Sequence, residues 1–529
     1  MTELYKDMMH EDLSNLFYGY GLDFGTFRSM MAIRNLSRPT PDAASYEKLS
    51  LRNGIPSLFW YNPENGKEYV CDEVLDFNGL YDDPEGVCSS VKMNLEDSSV
   101  ILHEKSFSPQ DIALKEIIRI LSVSHEAFSR MHLPTEYTRL VVGVPVRFGA
   151  RRRQILKDLM EKATGGKQIL LLSEPIAAAL TYSLYARKEL NKVLVYDLGA
   201  GTFDTVLLMP NLHRTRAYPY LYRTFSPDGL DIAGDSFDLR MVDLVLSSLK
   251  KNGTSLDLQK LSDPRYADYH KLKIAAREIK ERLSSQMSCS SVIEGTDLSG
   301  KPGYYKVTVS RTEFENAIKD DLQKTVDCAY HVLENEHLEN DPDIDILLVG
   351  GSTYIPLVRQ LIEKKFSHLD KIHILQRFPE QAIALGCSIY AGDTATADAS
   401  VAFGYAIGSR SLARSKNVLD VQIPSNASLP YTFTRTYRTA NDRQESIHFR
   451  LFEVEHAEAG TLLDIEDGTP TSIQITHYFG KAVPYKTPVE LTVTLSKDGL
   501  LTFTIDDHGI TPVDVQTVNR PEPEKGFFL

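Results

Sequence analysis

Two short segments with the same order of residue types carry the first sign of chemistry. Leu22–Phe27 reads LDFGTF and Tyr196–Asp204 reads YDLGAGTFD, and each contains an apolar run typical of a strand before its glycine. Glycine permits positive φ, so that several backbone N–H groups can point towards one anion. A phosphate would repel the aspartate, but a hydrated Mg²⁺ can lie between them. One such segment alone can equally be a tight turn at a strand end; two that face each other predict a polyphosphate clamp.

A third glycine turn, Leu347–Pro356 (LLVGGSTYIP), follows an apolar run and precedes a helical pattern. Two bare glycines let a nucleoside approach the backbone. By itself, the turn is explained as well by a strand-to-helix connection capped by Ser352. From these three turns the sequence predicts that Asp23 and Asp197 hold a metal through water and that the rest contact the nucleotide: Gly25, Thr26, Gly199, Gly201, Thr202, Gly350, Gly351 and Ser352.

The elements that must position these turns alternate up to about residue 392. Strands are predicted at Leu16–Leu22, Arg139–Val146, Val193–Asp197 and Ile344–Val349, with helices at Ala150–Ala163 and Glu174–Leu190 between them. This alternation indicates layered α/β structure. The segment Ala163–Lys167 (ATGGK) resembles a P-loop, but Glu161 stands where that motif requires glycine. We therefore interpret the two glycines of this segment as the end of the preceding helix.

The composition changes after residue 392. Gly392–Ser400 (GDTATADAS) is small and polar, as in a linker. From about 400 to 515, apolar and polar residues alternate, with strand-like segments at Val421–Pro430 and Ser446–Glu453. Val489–Leu495 and Leu500–Ile505 are joined by the turn SKDG, which predicts a hairpin. We expect an antiparallel β-sandwich here.

Composition excludes several classes of protein. The chain has 529 residues and a net charge of −14, which argues against a nucleic-acid partner because phosphate backbones are bound through excess Lys and Arg. Its five cysteines have neither zinc nor redox spacing, and no signal peptide or apolar span occurs. We therefore expect a cytoplasmic protein that is not in a membrane.

Taken in order, these motifs resemble those of the DnaK-type heat-shock chaperones, whose ATPase domain belongs to the actin and hexokinase superfamily. VPVRF, SEPIAAA and IAAREIKERLSS look like the family's connecting and adenosine segments. The resemblance runs from about Leu16 to Val515. It implies duplicated actin-like ATPase lobes around a nucleotide cleft in residues 1–392, a linker at 393–400, and an all-β sandwich at 401–529 without a helical lid.

The resemblance also assigns roles. It implies that Lys92, Glu174, Thr202 and Asp204 are catalytic and that Pro145 and Arg153 relay the nucleotide state to the sandwich. Further nucleotide contacts are implied for Phe27, Ala200, Gly234, Asp235, Lys280, Ser284, Tyr354 and Glu380. The implied ligands are ATP or ADP with Mg²⁺ and K⁺, and the implied partners are extended client peptides, J-domain proteins and nucleotide-exchange factors.

In the sandwich, the resemblance places Tyr437, Ala440, Ile447 and Phe449 in a peptide cleft. The alternative is that they are ordinary core residues, since alternating apolar residues fill any sandwich.

The chain departs from the family's pattern at several positions. Phe27 and Arg28 replace a Thr and an Asn, and Ala200 replaces a glycine. Glu281 and Tyr354 stand where two arginines sandwich adenine, Arg277 stands at an acidic position, and Ser409 replaces a pocket isoleucine. The linker segment Thr394–Asp398 lacks the family's leucines, so coupling between the domains is expected to be weak or to use another interface.

Three functions compete. The leading hypothesis is a slow chaperone ATPase that binds extended peptide. The second is a nucleotide-regulated scaffold with little turnover, which Phe27, Arg28 and the polar linker favour. The third, an actin-like filament former, fits the β domain poorly.

Overall fold

The computed structural model describes residues 18–35, 54–137, 139–186, 192–210, 222–264, 266–368, 373–376, 379–391, 403–411, 416–425, 427–455 and 457–517. The predicted linker at 393–400 lies outside these residues.

The strands that precede residue 392 are, in chain order, β1 Tyr18–Asp23, β2 Arg28–Asn35, β3 Ile55–Pro56, β4 Leu58–Asn62, β5 Lys67–Val70, β6 Val87–Ser89, β7 Val100–Leu102, β8 Lys105–Phe107, β9 Arg139–Val144, β10 Gln168–Ser173, β11 Lys192–Leu198, β12 Phe203–Pro210, β13 Tyr222–Leu230, β14 Ser288–Thr296, β15 Pro302–Ser310, β16 Ile344–Val349 and β17 His373–Leu375. The α-helices are α1 Asp72–Asp76, α2 Gly79–Asp82, α3 Pro109–Arg130, α4 Ala150–Ala163, α5 Glu174–Ala186, α6 Gly234–Asn252, α7 Leu258–Ser262, α8 Ala267–Leu283, α9 Arg311–Asn335, α10 Pro356–Lys365 and α11 Ala382–Tyr390.

Two five-stranded sheets share one topology. The first has the order β3–β2–β1–β9–β10 and the second β13–β12–β11–β16–β17. In each, an antiparallel hairpin (β1–β2 or β11–β12) continues into parallel neighbours (β9 and β10, or β16 and β17). This repeat is the predicted duplication. It brings the two Asp-x-Gly segments, LDFGTF and YDLGAGTFD, to the turns of equivalent hairpins, and we call these turns the DxG turns.

Helix α11 joins the two halves by close packing. A Cβ added at Gly21 on β1 would lie 2.3 Å from the carbonyl oxygen of Ala384, and one at Gly386 would lie 1.8 Å from that of Ala177 on α5. Only glycine allows helix, strand and helix to approach this closely. Among the described residues, no helix is both long and apolar enough to cross a bilayer.

The remaining strands form a sandwich: β18 Gly404–Ser411, β19 Lys416–Ile423, β20 Tyr431–Arg438, β21 Gln444–Val454, β22 Leu462–Asp464, β23 Gly468–Val483, β24 Pro488–Leu495, β25 Leu501–Asp506 and β26 Asp514–Thr517. One sheet has the order β22–β19–β18–β21–β23 and the other β20–β24–β25–β26. Inward-facing residues such as Leu451, Val493 and Phe503 form the core between them. The predicted hairpin is β24–β25, whose turn ends on Gly499 at φ 73°.

One predicted strand is wrong, and one predicted helix end is confirmed. Val421–Pro430 is not one strand: β19 ends at Ile423 because Pro424 has no N–H for the ladder, and β20 begins at Tyr431. Helix α4 ends at Ala163, followed by Gly165 and Gly166 at positive φ, which confirms a helix stop rather than a P-loop.

Candidate functional site

A cleft of about 600 Å³ opens between the hairpin turns of the two five-stranded sheets. All residues predicted to be catalytic or to bind nucleotide line it: Asp23, Gly25, Thr26, Phe27, Lys92, Glu174, Asp197, Gly199, Ala200, Gly201, Thr202, Asp204, Gly234, Asp235, Lys280, Ser284, Gly350, Gly351, Ser352, Tyr354 and Glu380. The structure thus brings together positions that are more than 350 residues apart in the chain.

The two DxG turns face each other across the cleft. A Cβ at Gly201 would lie 3.1 Å from Oγ1 of Thr26, so the turns touch where glycine leaves room. The second turn is held from behind by helix α6, because the N–H groups of Gly234 and Asp235 donate to the carbonyls of Gly199 (3.1 Å) and Ala200 (2.7 Å). The first turn of helix α6 therefore fixes the backbone of the second DxG turn.

The third turn is not the helix connection capped by Ser352 that the alternative interpretation expects. Ser352 does not cap helix α10, whose N-cap is Ile355. Its hydroxyl instead donates to the carbonyl of Gly199 at 2.8 Å. Gly350 has φ 83°, and a Cβ there would lie 2.3 Å from the carbonyl oxygen of Leu198. Ser352 therefore ties the third turn to the second.

Four carboxylates and one lysine form the charged floor of the cleft. Nζ of Lys92 lies 2.8 Å from Oε1 of Glu174, and both side chains are buried. The hydroxyl of Thr202 donates to Oδ2 of Asp204 at 2.9 Å. The acidic members are Asp23, Glu174, Asp197 and Asp204.

Their crowding shifts the proton equilibria. Burial and the charge of Glu174 raise the pKa of Asp23 and that of Asp204 each to about 7. Burial, then Glu174, holds the pKa of Asp197 well above its usual range. Burial alone would lower the pKa of Lys92, but Glu174 and Asp23 outweigh it and raise that pKa. One lysine cannot neutralise four carboxylates, so the raised pKa values mean that part of the cluster is protonated near neutral pH.

The residues fit a hydrated cation beside a polyphosphate. Oδ1 of Asp204 is buried and has no hydrogen-bond partner among the described residues, an arrangement that a bound water or ion would relieve. In the same part of the chain, no group of three or more His, Cys, Asp or Glu side chains is placed to hold a metal directly. The predicted contact of Asp23 and Asp197 through water requires no such group.

One contact in the cleft was missed by the sequence reasoning. The guanidinium of Arg277 lies 4.1 Å from the centre of the Phe27 ring and pairs with Asp235 (2.7 Å) and Asp238 (2.6 Å). Arg28 also lines the cleft. The signal for Arg277 was its charge reversal relative to the family's pattern, but a long side chain's direction is not readable from sequence.

Further along the cleft, a nucleoside-sized region is lined by polar side chains. Nζ of Lys280 donates to the carbonyl of Gly234 (3.0 Å) and pairs with Asp238 (2.6 Å). Tyr354 is 48% exposed, which leaves its ring available for stacking. Glu281 also lines this region and is exposed.

Pro145 and Arg153 contact each other beneath the sandwich. The buried guanidinium of Arg153 donates to the carbonyls of Phe148 (2.7 Å) and Pro145 (3.3 Å), and Pro145 lines the cleft. Burial lowers the pKa of Arg153. On its other side, a Cβ at Gly499 would lie 3.2 Å from Cδ of Arg153, so the β24–β25 turn rests on this arginine.

Further contacts join helix α4 to the sandwich. The N–H of Ala150 donates to the Tyr405 hydroxyl at 3.0 Å, and Lys157 pairs with Asp498 at 3.6 Å. Leu500 packs against the core around the first sheet. The described residues of the sandwich therefore dock on helix α4 and on the core around the first sheet.

The four predicted peptide-cleft residues occupy different environments. Ile447 and Phe449 are buried in the core between the sheets, as the alternative interpretation expects, and Ala440 is exposed. Tyr437 is half-buried: its ring packs edge-on against Phe449 at 5.3 Å, and its hydroxyl donates to Asp420.

Comparison with known proteins agrees with this architecture. The sequence model of the family described as Hsp70 protein matches residues 83–517. Two curated relatives, each a Chaperone protein DnaK from a strain of Halobacterium salinarum, are 27% identical over 507 residues, which cover 92% of this chain and 73% of their own length.

Proposed function

Because the chain belongs to the Hsp70 family, whose members are chaperone ATPases, we propose that it binds and slowly hydrolyses Mg·ATP and binds an extended peptide through its sandwich. The observation that carries the proposal is one cleft lined by every residue predicted to be catalytic or to bind nucleotide, with Lys92 beside Glu174 and, among the described residues, an unpartnered oxygen on Asp204. J-domain and exchange-factor partners, a cytoplasmic location and the absence of a lid stay predictions.

The chain's own groups divide the work of phosphoryl transfer. Gly201 can direct its backbone N–H to the phosphates, while the N–H groups of Gly25 and Gly199 donate to Ser29 (3.1 Å) and Thr202 (3.1 Å) and fix the two turns. Lys92 places positive charge where charge builds up. Glu174, Asp204 and Thr202 orient the attacking water by accepting or donating hydrogen bonds. Asp23 and Asp197 would hold a hydrated Mg²⁺ through its water shell, and the ion would offset charge on the phosphate oxygens.

Peptide binding communicates with the cleft through the docked interface. Pro145 lines the cleft and accepts a hydrogen bond from Arg153, on which the β24–β25 turn rests. A shift of the Pro145 segment on hydrolysis would change the surface offered to the sandwich. Such a route would give the differential contact that coupling requires, and the sequence of the linker, without the family's leucines, is not expected to give it.

Phosphate release from the purified chain with Mg·ATP tests the enzyme. Thr202→Ala and Lys92→Ala are expected to lower turnover about a hundredfold, whereas Lys162→Ala, on an exposed position of helix α4, should leave it unchanged. Melting curves of each variant report whether folding is intact. Turnover that persists in both cleft variants would contradict the assignment.

A second function, a nucleotide-regulated scaffold with little turnover, is favoured by the Phe27–Arg277 contact inside the cleft. No turnover in the wild type, together with a melting temperature raised by nucleotide, would establish it. Neither turnover nor binding would mark a pseudo-ATPase. Sedimentation of the protein in the presence of ATP, but not in its absence, would indicate the actin-like filament former instead.

A further inference from the structure

A group of polar side chains lies between the two sheets of the sandwich, where strand β19 of one sheet contacts strand β20 of the other. Asp420 (3% exposed) and Gln422 (0%) belong to β19. Asp420 lies opposite Ile407 in the β18–β19 ladder, and Ile407 belongs to the core between the sheets. Because residues that lie opposite each other share a face, the side chain of Asp420 points inwards. Arg435 and Tyr437 approach from the inner face of the edge strand β20.

All hydrogen bonds to the Asp420 carboxylate converge on one oxygen. The Tyr437 hydroxyl and Nε of Arg435 each lie 3.1 Å from Oδ2 of Asp420. Nε2 of Gln422 donates to the Tyr437 hydroxyl at 2.9 Å. Oδ1 of Asp420 and Oε1 of Gln422 are buried and have no hydrogen-bond partner among the described residues.

Two neighbouring buried acceptors without donors are costly, and an apolar ligand would leave them so. A cationic side chain with several N–H groups would satisfy both. Burial raises the pKa of Asp420, and Arg435 opposes this effect. The side chain of Arg435 is 38% exposed, so it can move away from Asp420. Its contact with Asp420 also shows that the carboxylate accepts a hydrogen bond from a guanidinium group. The net charge of −14 also favours a basic partner.

We propose, building on the peptide binding proposed above, that the sandwich selects extended peptides with an arginine or lysine at the central position over peptides with an aliphatic residue there. Asp420, Gln422 and Tyr437 are the specificity-determining residues. Arg435 holds the place of the peptide's cation when no peptide is bound. Ser409, two residues after Ile407 on β18, lies on the same inner face as Asp420 and is smaller than the isoleucine that the family's pattern has there.

Fluorescence anisotropy of the full chain with short dye-labelled peptides tests this selectivity. One host sequence carries Arg, Leu or Glu at its centre and is otherwise constant. A charge-assisted hydrogen bond predicts that the Arg peptide binds about tenfold to a hundredfold more tightly than the Leu peptide. Asp420→Asn should abolish this preference. Arg435→Ala should strengthen binding of the Arg peptide, and it remains informative if Asp420→Asn does not fold.

The matched control is Glu445→Gln, which removes an exposed carboxylate from the same end of the sandwich and should change neither affinity. Equal or tighter binding of the Leu peptide by the wild type would overturn the proposed selectivity and leave peptide binding itself in place. If the folded protein binds ADP but none of the three peptides, the proposed peptide binding fails as well.

Discussion

The guanidinium of Arg277 lies 4.1 Å from the centre of the Phe27 ring, inside the candidate nucleotide cleft. Both residues depart from the family's pattern, which has a threonine and an acidic residue at these positions. The two departures therefore contact each other, and each explains the other: a cation over an aromatic face is favourable, and Asp235 and Asp238 hold the cation in place.

A double-mutant cycle with Phe27→Leu and Arg277→Lys should reveal this coupling. We expect an interaction free energy of about 0.5–2 kcal/mol when the free energies of unfolding of the four proteins are compared. ADP affinity measured on the same variants shows whether the pair helps or hinders binding. Restoring the family pair, Phe27→Thr with Arg277→Glu, should bind ADP more tightly than either single replacement. Additive effects in both assays would mean that the contact carries no energy.

The stability of the ligand-free protein should fall as the pH rises towards 8. Asp23 and Asp204 have folded-state pKa values of about 7, above the unfolded value near 3.8. Their stabilising effect is fully present below pH 3.8 and is lost as the pH rises through about 7. The change in melting temperature that Asp204→Asn causes should therefore be more positive at pH 8 than at pH 5.5, by about 2 °C or more. Differential scanning calorimetry measures this difference; an effect of equal size at both pH values would contradict it.

The same protons should be released when Mg·ADP binds. Deprotonated carboxylates hold the cation's water shell better, so affinity should increase between pH 6 and 8. Titration calorimetry in two buffers with different ionisation enthalpies counts the protons. Asp204→Asn is the control, because it retains the protonation of ADP itself and loses that of the carboxylate. Identical proton counts for the two proteins would exclude Asp204 as a source.

Much of the cleft was predictable from the sequence because its parts are local turns. Motif spacing fixes the backbone around Gly199 and Gly350, and the repeated topology then brings the turns together. The bond from Ser352 to Gly199 could not be predicted, because it joins segments about 150 residues apart. The contact of Gly499 with Arg153 could not be predicted, because it depends on how the sandwich docks on helix α4, and no local sequence pattern determines that docking.

Gly499→Leu should displace the sandwich from helix α4. Gly499 has φ 73°, and a side chain there would meet the buried Arg153. Gly509→Leu is the matched control: it has φ 88°, pays the same backbone strain, and has no atom within 4 Å of its added Cβ. Small-angle scattering should show a larger radius of gyration for Gly499→Leu alone. Equal expansion of both variants would mean that strain, not contact with Arg153, is responsible.

Glu116 offers a test of the core that is independent of function. It lies in the middle of helix α3, is 0% exposed, and neither carboxylate oxygen has a hydrogen-bond partner among the described residues. Burial raises its pKa well above the usual value, so the stability it allows at low pH is lost as the pH rises from about 4.5 upwards. Glu116→Leu should stabilise the protein by about 1–4 kcal/mol, more at pH 8 than at pH 5.

Urea unfolding at the two pH values measures this effect, with Glu126→Leu, an exposed position of the same helix, as control. The control should change stability little at either pH. A pH-independent loss of stability in Glu116→Leu would show that the leucine does not fit the space of the carboxyl, and Glu116→Gln, which keeps the shape, then separates packing from charge. If Glu116→Gln also fails to reduce the pH dependence, the carboxyl is not the group that titrates.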